Sequence, residues 1–242
     1  MRLAVVLAMA LVLLGCSKSY RYKLTLAVNT PDGVKRASSV GEVSFQNVYF
    51  PERGIFHHLR GEALYLDLGP GAKPLVALLT NRMRGYYGWS NGAGPRLELL
   101  SDLYNVVRSA DYMDTVAKIA RQRGAHKIEP DQLPDLITFA NINDPRSVIL
   151  VDPDHLQETL GTNFTWNEIT VEITDDPVST GIEQKLPWIP YYVCGELDGD
   201  QGRRAATLAS RLTTADFELG TSSNKSQNPC YPGPREWQQR LR

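Results

Sequence analysis

Tyr20-Arg21-Tyr22-Lys23-Leu24-Thr25-Leu26-Ala27-Val28-Asn29, followed by Pro31-Asp32-Gly33, is the stretch that decides the fold. Tyr20, Tyr22, Leu24, Leu26 and Val28 alternate with Arg21, Lys23, Thr25 and Asn29. Successive side chains of a strand point to opposite faces, so this period of two predicts a half-buried strand over 20–28. Pro31-Asp32-Gly33 is turn chemistry, and Val40 to Val48 is the expected hairpin partner. Glu62 to Leu68 alternates again, with Leu64, Leu66 and Leu68 on one face. Gly69-Pro70-Gly71 turns the chain, and Pro74 to Leu79 returns as a buried strand. Residues 20–80 therefore read as an antiparallel meander.

Beyond the meander the period changes. Residues 81–95 are glycine-rich and read as a loop. Leu97, Leu100, Tyr104 and Val107 fall at helical spacing. A second helix is expected from near Ser109, with Met113, Val116, Ala117 and Ala120 on one side and a stop at Arg121-Gln122-Arg123-Gly124. Strands are expected at Leu136–Ala140, Ser147–Val151 and Thr165–Thr174, the last with Ile169, Val171 and Ile173 inward. Asp152-Pro153 opens a short helix that Gly161 closes. A helix is possible at 201–212, and 221–234 reads as loop. The class is α+β: an antiparallel sheet packed by a few helices. A less regular appendage occupies about 190–242.

The chain begins differently. Met1-Arg2 precedes an apolar run from Leu3 to Leu14, then Leu13-Leu14-Gly15-Cys16 gives way to polar Ser17-Lys18-Ser19. Twelve apolar residues fall short of the roughly 20 that span a bilayer, and fit a signal peptide's apolar region. Cys16, placed directly after that region, resembles the acylated cysteine of the bacterial lipobox. The expectation is a leader over 1–15 and a mature domain over 16–242, anchored by acyl chains on Cys16. A plain signal peptide with an incidental cysteine is the alternative. Ser17, rather than aspartate, favours the outer membrane over the inner by the enterobacterial sorting pattern. The domain then faces the periplasm.

Lys+Arg total 26 and Asp+Glu 27. Losing Arg2 with the leader leaves the mature chain close to −2, without a basic stripe, which speaks against nucleic acid. Cys194 and Cys230 are the remaining cysteines, and an even pair in an exported chain usually bonds. Two buried thiols are the alternative. Neither spacing nor nearby histidines suggest a metal site, and no cofactor is implied.

Several constellations bear on chemistry. Gly88-Trp89-Ser90-Asn91-Gly92 matches the nucleophile-elbow pattern, which requires a strand directly before the serine and a helix directly after it. Gly94 and Pro95 interrupt any such helix, so Ser90 reads as a loop residue. His57-His58, expected between strands, reads as solvated, since neighbouring strand residues face opposite ways. Asp175-Asp176 before Pro177 ends a strand. Asp198-Gly199-Asp200 lacks the further oxygen ligands of a calcium loop. Tyr86, Tyr87 and Trp89 form either a sticky patch or core-capping aromatics.

Tyr20 to Thr25 with Pro31-Asp32-Gly33, Val151-Asp152-Pro153, and Ile169 to Val178 running to Gly181-Ile182-Glu183 and Leu186-Pro187-Trp188 carry a resemblance. Together they resemble an uncharacterised family of bacterial envelope lipoproteins, mostly alphaproteobacterial. The resemblance covers most of 20–190. It implies an envelope location and assigns no catalytic residue. The expected function is a non-catalytic binding or assembly module. The alternatives are a periplasmic hydrolase using Ser90 and a structural envelope component.

Overall fold

The computed structural model describes residues 17–48, 54–83, 89–90, 94–191, 196–198 and 207–221. The decisive stretch forms β1 (Ser17–Thr30), longer at both ends than its alternation predicts. It pairs along its whole length with β2 (Gly33–Val48), from Ser17↔Gln46 to Thr30↔Gly33. Gly33 takes φ +106 at the turn, a region that glycine enters without steric cost. Tyr20, Tyr22, Leu24, Leu26 and Val28 are all buried, as the period of two requires.

β2 pairs onward with β3 (Gly54–Glu62), and β1 pairs on its other side with β11 (Thr165–Thr174). Short edge strands β8 (Ala125–Lys127) and β12 (Glu218–Leu219) complete a six-stranded sheet of order β12-β3-β2-β1-β11-β8. The expected meander therefore divides. β4 (Leu64–Leu66) and β5 (Leu75–Ala77) leave the first sheet and join β9 (Leu136–Phe139) and β10 (Val148–Leu150) in a second, of order β10-β9-β5-β4. Every strand pairing among the described residues is antiparallel. A two-residue ladder, β6 (Trp89–Ser90) with β7 (Gly94–Pro95), stands apart.

The helices are short: α1 (Leu97–Leu103), α2 (Tyr112–Ile119) and α3 (Leu156–Leu160). The α+β expectation holds coarsely, but the protein is richer in strand. The first helix ends earlier than its spacing suggests. Asn105 adopts φ +54, and Val107, expected on the apolar face, is 83% exposed. The Asp111 side chain accepts from Met113 N at 2.9 Å and starts α2, and Gly124 beyond it takes φ +97. Asp152 caps the turn that leads into α3, and Gly161 follows it at φ +113.

Two apolar cores lie on either side of the second sheet. Leu64, Leu66, Leu75, Ala77 and Leu136 face the first sheet and helices α1 and α2. Val76, Ile137, Phe139 and Val148 face a layer of loops and 3₁₀ turns that carries Ile182, Leu186, Trp188, Leu212 and Phe217. Trp188 meets Phe217 edge-on at 5.2 Å and Phe139 at 5.7 Å. Burial on both faces explains the continuous apolar run Leu75 to Leu79. Of the stretch expected as an irregular appendage, residues 190–191, 196–198 and 207–221 are described. Leu197, Leu212 and Phe217 are fully buried there, so these parts are built into the second core. The helix possible at 201–212 is a single 3₁₀ turn, Ala209–Arg211, within the described residues. Among the described residues, no helix is long and apolar enough to cross a membrane.

Candidate functional site

Two regions gather polar chemistry. The first is the end of the large sheet where β1 begins. Ser17 pairs with Gln46, and Gln46 pairs with Phe56 on β3, so three strands end together. Lys18 Nζ donates to the Met113 carbonyl at 3.2 Å and ties β1 to the start of α2. Beside it an aromatic group closes over a small cleft of about 40 Å³. Phe45 stands 5.8 Å from Tyr20, 5.7 Å from Tyr112 and 6.2 Å from His57. The Tyr20 hydroxyl donates to the Pro95 carbonyl at 3.4 Å, and burial pushes its phenol well above the usual range. Arg96 and Glu98 line the mouth. A wider groove of about 280 Å³ runs past Ser19, Arg21, Glu42 and Asp175. The Arg21 guanidinium donates there to the Asp175 and Asp176 carbonyls at 3.3 Å each.

The second region lies where the second sheet meets the C-terminal layer. Asp216 is fully buried. Its Oδ1 accepts from Thr80 Oγ1 at 2.8 Å and faces Arg82 Nε at 3.3 Å. Its Oδ2 accepts from Thr213 N at 2.7 Å and Thr213 Oγ1 at 3.1 Å. Asp135 is also fully buried, and its Oδ2 accepts from Met83 N at 2.8 Å. The two carboxylates thus both hold residues 80–83, Asp216 through Thr80 and Arg82 and Asp135 through Met83. Glu62, nearly buried, accepts from Gly181 N at 3.0 Å and Ile182 N at 2.8 Å, which fixes the 3₁₀ turn Ile182–Gln184. Glu218 lies across the ladder from Glu62. Burial first, then the neighbouring Glu183, push its carboxyl up to about 7. The donors fixed on Glu62 and Asp216 make these two groups that position loops.

The residues singled out by sequence are scattered. Cys16, Cys194 and Cys230 lie outside the described residues, as do Tyr86 and Tyr87. The backbone of Ser90 pairs with Gly94 in the β6–β7 ladder, and Pro95 and Arg96 intervene before α1 begins. That is a narrow hairpin, not a strand-to-helix elbow. Trp89 is buried and packs edge-on against Tyr22 at 5.9 Å, so it caps the core rather than forming a patch. His57 and His58 lie within β3, not between strands, and both are exposed. Asp175 pairs with Arg123 at 2.7 Å and Asp176 with Lys23 at 3.0 Å, so that carboxylate couple splits between two cations. The Lys23 ammonium holds the Asp176 carboxyl below its ordinary value. Of Asp198-Gly199-Asp200, only Asp198 is described. Among the described residues, no group of three or more His, Cys, Asp or Glu could hold a metal ion.

Sequence reasoning did not single out Asp135, Asp216 or Glu62. Thr213-Thr214-Ala215-Asp216 has the spacing of a capping box, and the structure forms that box. It is the one signal that points to Asp216.

No protein-family model matches the chain, and neither a curated protein nor a solved structure is significantly similar to it.

Proposed function

We propose that the protein is a lipid-anchored component of the bacterial cell envelope, held by acyl chains on Cys16 and acting as a non-catalytic binding or assembly module. The observation that carries this reading is the start of β1 at Ser17, directly after Cys16. An anchor at Cys16 joins the sheet without a flexible spacer, and Lys18 ties that strand end to α2. Such a joint suits a domain held against a surface better than one swinging free of it. Two acyl signals suffice for stable anchoring, since each buried CH₂ contributes about 0.8 kcal/mol. The family reading and the outer-membrane, periplasm-facing location belong to this same proposal, and rest on the quoted sequence segments and on Ser17.

Processing in a lipoprotein-competent bacterium, metabolic labelling with palmitate and the intact mass of the membrane fraction test it. The wild-type chain takes up label and begins at Cys16. Cys16→Ser abolishes the label and moves the protein to the soluble or unprocessed fraction. Unlabelled wild-type protein with no acyl mass overturns the anchor. The rival hydrolase reading predicts fluorophosphonate labelling of Ser90 that Ser90→Ala removes.

A further inference from the structure

We propose that Glu183 and Glu218 form a carboxyl–carboxylate latch that holds β12 on β3 and releases it when the shared proton leaves. This device is built into the fold and does not depend on the anchor proposed above. β12 is two residues long and lies at the outer edge of the first sheet, with Glu218 across from Glu62 and Leu219 across from Gly61. One further backbone bond, from Ala63 N to the Phe217 carbonyl at 2.7 Å, continues the ladder. So short a pairing at a sheet edge belongs to the low-stability end of a structure, and side chains decide whether it stays closed.

Three carboxylates converge there from three elements. Glu62 comes from β3, Glu183 from the turn Ile182–Gln184, and Glu218 from β12. Both Glu62 oxygens are committed to the turn, Oε1 to Gly181 N and Oε2 to Ile182 N. The Glu183 and Glu218 side chains hydrogen-bond to each other. Two carboxyl groups make such a bond only when one of them carries a proton, because an ionised carboxylate only accepts. Glu218 Oε1 also accepts from Thr221 Oγ1 at 3.1 Å. Two cations lie close by. Arg60, two positions from Glu62 on the same face of β3, is exposed and has its stem beside Gly220. Lys185, past the turn, stands over the Tyr65 ring at 5.9 Å. Neither is among the charges that act on Glu218, which are the negative Glu183 and Glu62. Glu42, across from Arg60, faces Arg21 at 3.6 Å, and Asp216 is held by Thr80, Arg82 and Thr213.

Loss of the shared proton sets three negative groups in one joint. Lifting β12 returns Glu218 to water, while the two amides keep Glu62 on its turn. Gly61 and Glu62 then extend the edge of Gly54–Arg60 that has no strand among the described residues. Burial first, and the Glu183 charge second, raise the Glu218 carboxyl from 4.5 to about 7 in the closed form. The closed form therefore holds the proton more tightly than the open one. The latch is complete below about pH 4.5, and opening grows until the pH passes 7.

Amide hydrogen exchange of the full chain in detergent tests this from pH 5 to pH 8, with fragments read by mass and rates corrected for the intrinsic pH dependence of exchange. Fragments 59–63 and 214–221 report the ladder. Fragment 22–28 of β1, paired on both sides, reports the interior of the sheet. Opening of the ladder rises about tenfold or more between pH 5 and pH 8, and at pH 8 the ladder exchanges faster than 22–28. Glu218→Gln supplies an uncharged donor to Glu183, and its ladder opening changes by less than about threefold over the same range. Glu183→Gln also narrows the rise, because it removes the stronger of the two charges acting on Glu218. It carries the comparison if fast exchange of 22–28 shows that Glu218→Gln disturbs the whole chain. A wild-type ladder that at pH 8 is as protected as 22–28 overturns the proposal. So does a rise that stays undiminished in both variants.

Discussion

Replacing Asp216 tests how the C-terminal layer is held. Its carboxylate is fully buried and takes four contacts, from Thr80 Oγ1, Arg82 Nε, Thr213 N and Thr213 Oγ1, at 2.7 to 3.3 Å. Asp216→Ala leaves the Thr80 hydroxyl and the Thr213 amide facing a cavity. A buried donor stranded in this way costs about 1–3 kcal/mol. Arg82 is 36% exposed, so its guanidinium returns to water and the lost ion pair adds under about 1 kcal/mol. The expected loss is about 3–5 kcal/mol, the range found for breaking buried charged networks. Asp216→Asn keeps an oxygen for Thr80 but turns an amide N–H toward the Thr213 N–H, and loses about 2–3 kcal/mol. Urea unfolding followed by tryptophan emission measures both, because Trp188 stacks edge-on against Phe217, the residue after Asp216. Thr80→Val on the Asp216→Ala background adds little beyond the single change, since the partner is already gone. A loss under about 1 kcal/mol for Asp216→Ala, or full additivity with Thr80→Val, contradicts this account.

Glu218 makes stability depend on pH in the opposite sense to a salt-bridged carboxylate. Its folded pKa is raised to about 7, from an ordinary 4.5, so between those values the folded state binds more protons than the unfolded. Stability from this group is therefore complete below about pH 4.5 and is lost as pH rises through 7. Because the side chain is only half-buried, solvent screening reduces the effect to about 1–2 kcal/mol. Glu218→Gln flattens the difference between urea midpoints at pH 5 and pH 8, and an unchanged difference excludes Glu218 as the source. Gly41→Ala sets a Cβ 2.7 Å from the buried Tyr22 ring and costs about 1–3 kcal/mol by overpacking. Tyr22→Leu on the same chain relieves most of that cost in a thermal melt. The expected Cys194–Cys230 bridge contributes roughly 3–4 kcal/mol in the chain-entropy model. Intact mass rises by two hydrogens on reduction if the bond is present, and stays constant if both are thiols.

The legible parts of the fold are those set by local contrast. The alternation from Tyr20 to Val28 marked β1 because one face meets the core and the other meets water. Thr165–Thr174 has the bounds its pattern predicts, for the same reason. Asp152 before Pro153, with Gly161 after, marked α3 through backbone chemistry confined to a few residues. What was not legible depends on contacts distant in the chain. β3 was missed because Ile55 to His58 are exposed on both faces at the sheet's end, which erases the period of two. The division of the meander was hidden because β5 pairs with β9, some sixty residues on. Asp216 meets Thr80 across 136 positions, and Glu62 meets Gly181 across 119. A carboxylate whose donors come from so far away looks like any surface acid in its own segment. The polar network that holds the second core was therefore invisible, and of its apolar residues only those on expected strands, such as Val76, Ile137 and Val148, were legible, whereas Leu197, Leu212 and Phe217 fall in the stretch that reads as irregular.

The same geometry limits where a partner can act. With Cys16 as the anchor, β1 runs from the lipid surface through fourteen residues to the Pro31-Asp32-Gly33 turn. At about 3.3 Å per residue, that turn stands roughly 40 Å from the membrane end. The second sheet offers little surface of its own, because β5 and β9 are covered on both faces. In the first sheet the long strands β1 and β2 are interior, and β12 pairs with Gly61 and Glu62 alone on β3. Its pairing therefore leaves the outer edge of Gly54–Arg60 without a strand among the described residues. An open edge is the part of a sheet most able to accept an added strand. This edge begins at Gly54, across β2 from the strand end that carries Ser17. Were the chain anchored at Cys16 as proposed, a strand added to this edge would lie nearer the anchor than one reaching the distal Pro31-Asp32-Gly33 hairpin.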